Sequence, residues 1–330
     1  MDRTKQISGS KYLHVEEIFL DIHGIRQRLV ITTRDTDAPV LLFLHGHGTP
    51  TSLFAHEICE DEDSRLCERF VLVHWDQRGA GASYTRDIPP ESMNQAQFVA
   101  DAHEAAQYLK NRFGQEKIYL VAQSWGSIIG LRLLQKYPGD FVAYLGEGQT
   151  ADYAGALRNM QNYARQEAAR RNHKKALRQL YSVSFPQKGA DIREILKFNR
   201  IVSKWANQFI LEDYGGKDLV RLFKSSMRKS PFYKKPGLKI KLLQGMQFTR
   251  KHTLRELFET NLSGEINHLE VPVCFIMGRY DFIMPGTRKF FGQLDAQQKE
   301  WLLFENSGHA PSLDEAERFE AGLMKMFGMN

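Results

Sequence analysis

Two segments, Val40-Leu41-Leu42-Phe43-Leu44 and Phe70-Val71-Leu72-Val73-His74-Trp75, are apolar at almost every position. A strand with one wet face alternates, so strands without alternation must be covered on both sides, the condition of a parallel sheet held between helices. The neighbouring chain meets that demand. Gln95 to Phe113 sets Phe98, Val99, Ala102, Ala105, Ala106 and Leu109 at helical spacing and stops at Gly114. Lys117 to Ala122 reads as a strand, Ser127 to Lys136 as a helix halted near Pro138, and Phe141 to Leu145 as a further strand. Upstream, Val15 to Ile22 and Arg26 to Thr33 are strand-like runs joined through His23-Gly24-Ile25, which predicts a hairpin. The alternation returns late, with Val271 to Met277 and Trp301 to Phe304 as strands and Thr287 to Gly292 and Ser312 to Phe327 as helices. The expected architecture is α/β, a mostly parallel central sheet with flanking helices.

From Ala156 to about Glu259 the pattern is helical, broken at Ser184-Phe185-Pro186, at Tyr214-Gly215-Gly216 and from Pro231 to Gly237. This part also differs in charge. Arg158 to Arg255 holds 24 Lys and Arg against 6 acids, a balance of +18, although the whole chain of 330 residues carries only +6. A compositional break of this size marks a separate unit. The expected organisation is a first part of the α/β core over 1–150, a strongly basic helical cap over 151–260, and the rest of the core over 261–330. The basic balance reads either as a solvated helical face or as a field that attracts anionic ligands. No nucleic acid is expected as a partner, because the region carries no recognition motif and no regular aromatic and basic alternation.

With 42% hydrophobic and 25% charged residues the composition is globular. No apolar run is long enough for a membrane span, and the first residues lead into no signal-peptide stretch. Three cysteines, Cys59, Cys67 and Cys274, suggest no disulfide framework, and a cytoplasmic location is expected. No cofactor and no metal are expected. His45 and His47 flank one glycine without an acidic or cysteine partner at ligand spacing. A set of His56, Cys59, Cys67 and His74 matches no standard zinc spacing, and His74 reads as pointing out of its strand.

The chemistry gathers at strand ends. Val121-Ala122-Gln123-Ser124-Trp125-Gly126 lies between a strand and a helix, where a nucleophile elbow belongs, with Ala122 in place of the usual first glycine. Asp281 follows a strand in Gly278-Arg279-Tyr280-Asp281, and His309 follows the last strand in Asn306-Ser307-Gly308-His309-Ala310-Pro311. The order nucleophile, acid, base is the one an α/β-hydrolase requires. In that reading His309 takes the proton of Ser124, while Asp281 holds the imidazole tautomer and stabilises the imidazolium. An oxyanion hole needs two backbone N–H groups. Trp125, directly after the nucleophile, supplies one, and His47 in His45-Gly46-His47-Gly48-Thr49-Pro50 supplies the other by position.

Asp76-Gln77-Arg78-Gly79-Ala80-Gly81-Ala82-Ser83, the elbow and the His-Gly loop together resemble the proline iminopeptidase (prolyl aminopeptidase) branch of the α/β-hydrolase superfamily, over about Val40 to Gly148 and Val271 to Phe327. The resemblance implies a serine hydrolase with the triad Ser124, Asp281 and His309 beneath a helical cap, and structural roles for Arg78 and Ser83. The sequence departs from that family in two strings: His-Gly-Gly-Pro-Gly is here His-Gly-His-Gly-Thr-Pro, and Gly-Gly-Ser-Trp-Gly is Ala-Gln-Ser-Trp-Gly. The family also places a cap glutamate beside a tryptophan to hold the substrate amine, and Trp205-Ala206-Asn207-Gln208-Phe209 contains none. Glu147 and Gln149, at the end of the strand after the elbow helix, are the expected substrate-binding residues, with Glu147 standing in for that glutamate; the other reading of Glu147 is a helix cap. Three activities fit these residues: an aminopeptidase acting on short peptides, a carboxylesterase or other acyl hydrolase acting on a small molecule, and a ligand-binding protein of the same fold without turnover.

Overall fold

The computed structural model describes residues 14–55, 65–214, 216 and 219–329. Eight strands form its main sheet: β1 (His14–Ile22), β2 (Ile25–Thr33), β3 (Val40–Leu44), β4 (Val71–Asp76), β5 (Ile118–Gln123), β6 (Phe141–Glu147), β7 (Val273–Gly278) and β8 (Lys299–Phe304). They lie in the order β1-β2-β4-β3-β5-β6-β7-β8. Only β2 runs antiparallel to its neighbours; the pairings from β4 through β8 are parallel. The β1–β2 turn has two residues in the left-handed region, His23 at φ 49° and Gly24 at φ 75°, whose twist matches that of the flanking strands.

All five residues of β3 and all six of β4 are buried, as their lack of alternation requires. The cover on one face comes from α1 (Gln95–Phe113) and α2 (Trp125–Lys136). Asn94 caps α1 by accepting the Gln97 N–H, and Gly114 at φ 63° ends it. Helix α2 buries Trp125, Ile128, Ile129, Leu131, Leu133 and Leu134. Each such aliphatic side chain contributes roughly 1.5–3 kcal/mol on full burial, so the helix that begins at Ser124 is firmly anchored behind it.

Five helices separate β6 from β7: α3 (Tyr153–Arg170), α4 (Lys174–Tyr181), α5 (Ile192–Tyr214), α6 (Leu219–Lys229) and α7 (Pro236–Glu259). They begin after the sixth strand of the main sheet. Two further helices, α8 (Met284–Gln293) and α9 (Pro311–Asp314), precede the last, α10 (Ala316–Met326). The single C-terminal helix expected from Ser312 to Phe327 is thus broken at Glu315, at φ −129°, where the carboxylate accepts the Asn306 N–H and the Ser307 hydroxyl instead of leaving the chain free to continue as one rod. No helix among the described residues is long and apolar enough to cross a membrane.

The loop after β4 joins the sheet to the intervening helices. Arg28 of β2 is fully buried and lies 2.8 Å from Asp76, 3.0 Å from Glu17 and 3.1 Å from the Ser52 hydroxyl. Its guanidinium also donates to the Phe232 carbonyl and sits over the Tyr233 ring, in the turn between α6 and α7. Tyr233 in turn donates to Asp76 at 3.1 Å. Gly79 accepts from Thr249 of α7 at 3.0 Å. Arg78 grips Asp101 of α1 through two bonds of 2.8 and 3.0 Å, and the Ser83 hydroxyl accepts the Arg28 N–H. The Asp-Gln-Arg-Gly string is therefore a docking element. His74, expected to point outward, is fully buried: its ring stacks on Phe43 at 4.7 Å and Nδ1 lies 3.1 Å from the Thr51 hydroxyl. His56 and Cys59 of the dismissed zinc set lie outside the described residues.

Candidate active site

Ser124 sits between β5 and α2 at φ 53° and ψ −117°, a left-handed backbone that a non-glycine residue adopts at a cost of about 1–3 kcal/mol. The surroundings hold it there. A Cβ at Gly126 would come within 2.6 Å of the His45 carbonyl and closer still to that of Leu44, so no side chain is tolerated on the inner side of the turn. The smaller need at position 122 is met by alanine, fully buried against α2.

His309 follows β8 and reaches both expected partners. Its Nε2 lies 2.9 Å from the Ser124 hydroxyl and its Nδ1 2.8 Å from Asp281 Oδ2. An ionised carboxylate only accepts, so Nδ1 carries the proton and the Nε2 lone pair faces the serine. Asp281, buried beyond the end of β7, is fixed by accepting the Ile283 N–H through its other oxygen at 3.0 Å. Burial lowers the basicity of the His309 imidazole, but the charge and hydrogen bond of Asp281, with Glu147 behind, outweigh it and raise the pKa. A general base at this position acts in its neutral form, so if His309 has that role the acid limb of kcat/KM is expected to have its midpoint above about 6.5, the ordinary histidine value. A limb well below that value, measured on the free enzyme, would remove His309 from the role.

Trp125 opens α2, so its N–H precedes the helix's own bonding ladder and lies at the positive end of the helix dipole. Opposite runs the loop from His45, close enough that a Cβ at Gly46 would lie 3.4 Å from that of Ser124. Both histidines of this loop are braced. His45 donates from Nδ1 to the Gly46 carbonyl and accepts the Gln77 N–H at Nε2, and burial pushes its pKa down to about 4. His47 reaches Thr253 of α7 at 2.6 Å; burial, then the nearby charge of Arg250, pushes it down to about 3. The neutral rings hold the loop beside the nucleophile, and the residues named for an oxyanion hole, His47 and Trp125, come together with ring centres 5.5 Å apart.

Two expected substrate residues are elsewhere. Glu147 accepts the Ser312 N–H at 2.7 Å, capping the start of α9, and burial raises its pKa to about 6. Gln149 accepts from Tyr144 and donates to the Thr150 carbonyl in the interior. Neither lines the cavity over Ser124. The strand end that carries them turns under the triad instead: Gly148, at φ 51°, leaves space that a Cβ would deny, 3.0 Å from the His309 ring. Trp205 is likewise absent from the cavity, its indole donating to Gln179 within the helical layer.

The cavity itself measures about 930 Å³ and is lined by Ser124, His309, Asp281 and His47 below and by α5 and α7 above. Asp314 and Tyr214 join it beside His309. Sequence periodicity indicates that α5 is amphipathic but not that its polar face turns toward this space.

A family model for the alpha/beta hydrolase fold matches residues 39–316, and the chain belongs to that family. Over 306 residues it is 31% identical to the probable aminopeptidase YbaC of Bacillus subtilis, covering 91% of this chain and 92% of that one. Among solved structures it resembles a proline iminopeptidase-related protein of Thermus thermophilus, with a TM-score of 0.65 at 16% identity over 96% of this chain and 98% of the other. Proline iminopeptidase of Mycobacterium smegmatis aligns with a TM-score of 0.62 at 17% identity, over 95% and 98%. At such identities the likeness concerns the fold.

Proposed function

We propose that the protein is a serine hydrolase with the triad Ser124, Asp281 and His309, and an aminopeptidase acting on short peptides. The observation that carries the chemistry is the unbroken relay from Asp281 through His309 to Ser124, with both contacts under 3 Å. Ser124 Oγ attacks the scissile carbonyl as His309 Nε2 takes its proton, and the N–H groups of Trp125 and His47 stabilise the oxyanion. The imidazolium gives that proton to the leaving amine. Water, activated by His309, then hydrolyses the acyl-enzyme and restores the serine. The helices over residues 151–260 act as a cap between the two parts of the core, 1–150 and 261–330, and enclose the substrate.

An aminopeptidase needs an acceptor for the substrate ammonium near the nucleophile. Asp314 takes the place expected for Glu147: it lines the cavity five positions after His309 and is oriented by the Gly308 N–H at 3.0 Å. The 31% identical relative named as a probable aminopeptidase supports the same reading, and the buried thiol of Cys274 suits a cytoplasmic enzyme.

Aminoacyl arylamides, their N-acetylated counterparts and p-nitrophenyl esters separate the alternatives. Free-amine arylamides are expected to exceed acetylated ones by about tenfold or more in kcat/KM, the factor equivalent to 1.4 kcal/mol of charge pairing. Equal turnover of acetylated and free substrates would replace the peptidase with an esterase.

A further inference from the structure

Helix α5 has an apolar face packed into the helical layer and an exposed polar face that borders the cavity. Ile195, Phe198, Val202, Trp205, Ala206 and Phe209 are buried, whereas the face that carries Arg193, Lys197, Arg200, Asn207 and Tyr214 lines the cavity above the nucleophile. Arg250 of α7 lines it from a second direction. The polar stripe thus faces the reaction space.

The cations on this wall differ in how they are satisfied. Arg193 lies 3.1 Å from Asp191. Lys197, Arg200 and Arg250 make no ion pair and no side-chain hydrogen bond among the described residues. Arg250 stands beside His47 and Tyr153, and Tyr153 accepts a hydrogen bond from Asn199, the neighbour of Arg200, at 2.9 Å. The carboxylates of the cavity, Asp281 and Asp314, lie at the other end with Tyr214. Arg200 and Tyr214 are separated by about 21 Å of helix axis at 1.5 Å per residue. The cavity is therefore polarised, acidic beside His309 and basic toward the middle of α5.

We propose that Lys197, Arg200 and Arg250 bind the free carboxylate of a short peptide on the leaving side of the scissile bond, so that the cavity selects its substrates by their terminal charge. This rests on the aminopeptidase reading and adds the other end of the substrate. With the ammonium at the acidic end and the first carbonyl at Ser124, the leaving portion extends past His47 toward Arg250. Guanidinium groups suit that task because their planar donor fork matches a carboxylate. At 3.3–3.6 Å per extended residue, 21 Å corresponds to about six residues, and fewer by whatever the arginine and lysine side chains reach along the cavity. Longer chains would bring an uncharged amide to the cations and lose the pairing.

The test uses two pentapeptides identical except that one ends in a free carboxylate and the other in a carboxamide, with release of the N-terminal residue measured for the purified protein. The free acid is expected to exceed the amide by about tenfold in kcat/KM, the equivalent of 1.4 kcal/mol, with the difference mainly in KM because the contact is made before and during reaction alike. In the double variant Arg200→Gln, Arg250→Gln the ratio is expected to fall toward one. Both substrates are measured on the same sample, so an unfolded fraction cancels from the ratio. Preference for the acid that survives in the double variant overturns the assignment of these cations. Equal cleavage of acid and amide by the native protein overturns the inference and leaves the aminopeptidase reading standing. Release from neither peptide, with p-nitrophenyl esters still hydrolysed, overturns the aminopeptidase reading and the inference together.

Discussion

Ser124→Ala is expected to lower kcat by roughly 10⁶, the scale seen when a triad nucleophile is removed, and to abolish labelling by a fluorophosphonate probe. The probe reports the nucleophile without assuming a substrate, since it reacts with an activated serine hydroxyl whatever the acyl group. Fold should survive the change: alanine removes one hydroxyl whose bond is to His309, and it relieves none of the contacts that force the left-handed backbone at the elbow. A thermal melt close to that of the native protein would establish this independently. Labelling of the variant at the native rate would mean that another residue is the nucleophile, and the candidate site would have to be abandoned.

Asp281→Asn is expected to fold and to lose on the order of 10⁴ in kcat, the cost of presenting the wrong imidazole tautomer. An amide can still accept the Ile283 N–H that now binds the carboxylate. Toward His309 it turns its NH₂ group, so Nδ1 becomes the acceptor and Nε2 carries a hydrogen toward Ser124. A serine facing a donor cannot pass on its proton. The same substitution removes the charge that counters burial at His309, so residual activity should show an acid limb displaced to lower pH. Near-native kcat in this variant would place the acid elsewhere.

What could be read from the residues followed from whether a feature is local. The buried runs of β3 and β4, the capped periodicity of α1 and the three strand-end residues Ser124, Asp281 and His309 are each specified within a few positions of themselves, and order along the chain supplied the rest of the candidate relay. Glu147 and Gln149 illustrate the opposite case. Their position at the end of β6 was legible, but the side-chain directions depend on α9 and Tyr144, which are distant in sequence. Asp314 carried no signal because a carboxylate in the first turn of a helix is an ordinary helix-start residue. The cation wall was visible as charge without address: +18 over the region says nothing about which face of α5 meets the cavity. The positive φ of Gly148 beneath His309 depends on packing between distant segments, and nothing in the neighbouring residues marks it.

The knot of Arg28, Asp76 and Tyr233 bears on how the molecule comes apart. A guanidinium from β2, a carboxylate from β4 and a phenol from the turn before α7 satisfy one another, together with Glu17, Ser52 and the Ala82 N–H. If the helical layer detached as a unit, it would withdraw Tyr233 and the Phe232 carbonyl and leave the buried Arg28–Asp76 pair without two hydrogen-bond partners, at a cost of about 1–3 kcal/mol for a buried group left unsatisfied. Partial opening at this corner is thereby discouraged; at the far end of α5 the layer meets the core through Tyr214, whose ring stacks on Tyr280 with centres 4.4 Å apart. Any motion of the helical layer that admits a substrate is then expected to pivot about the Tyr233 corner.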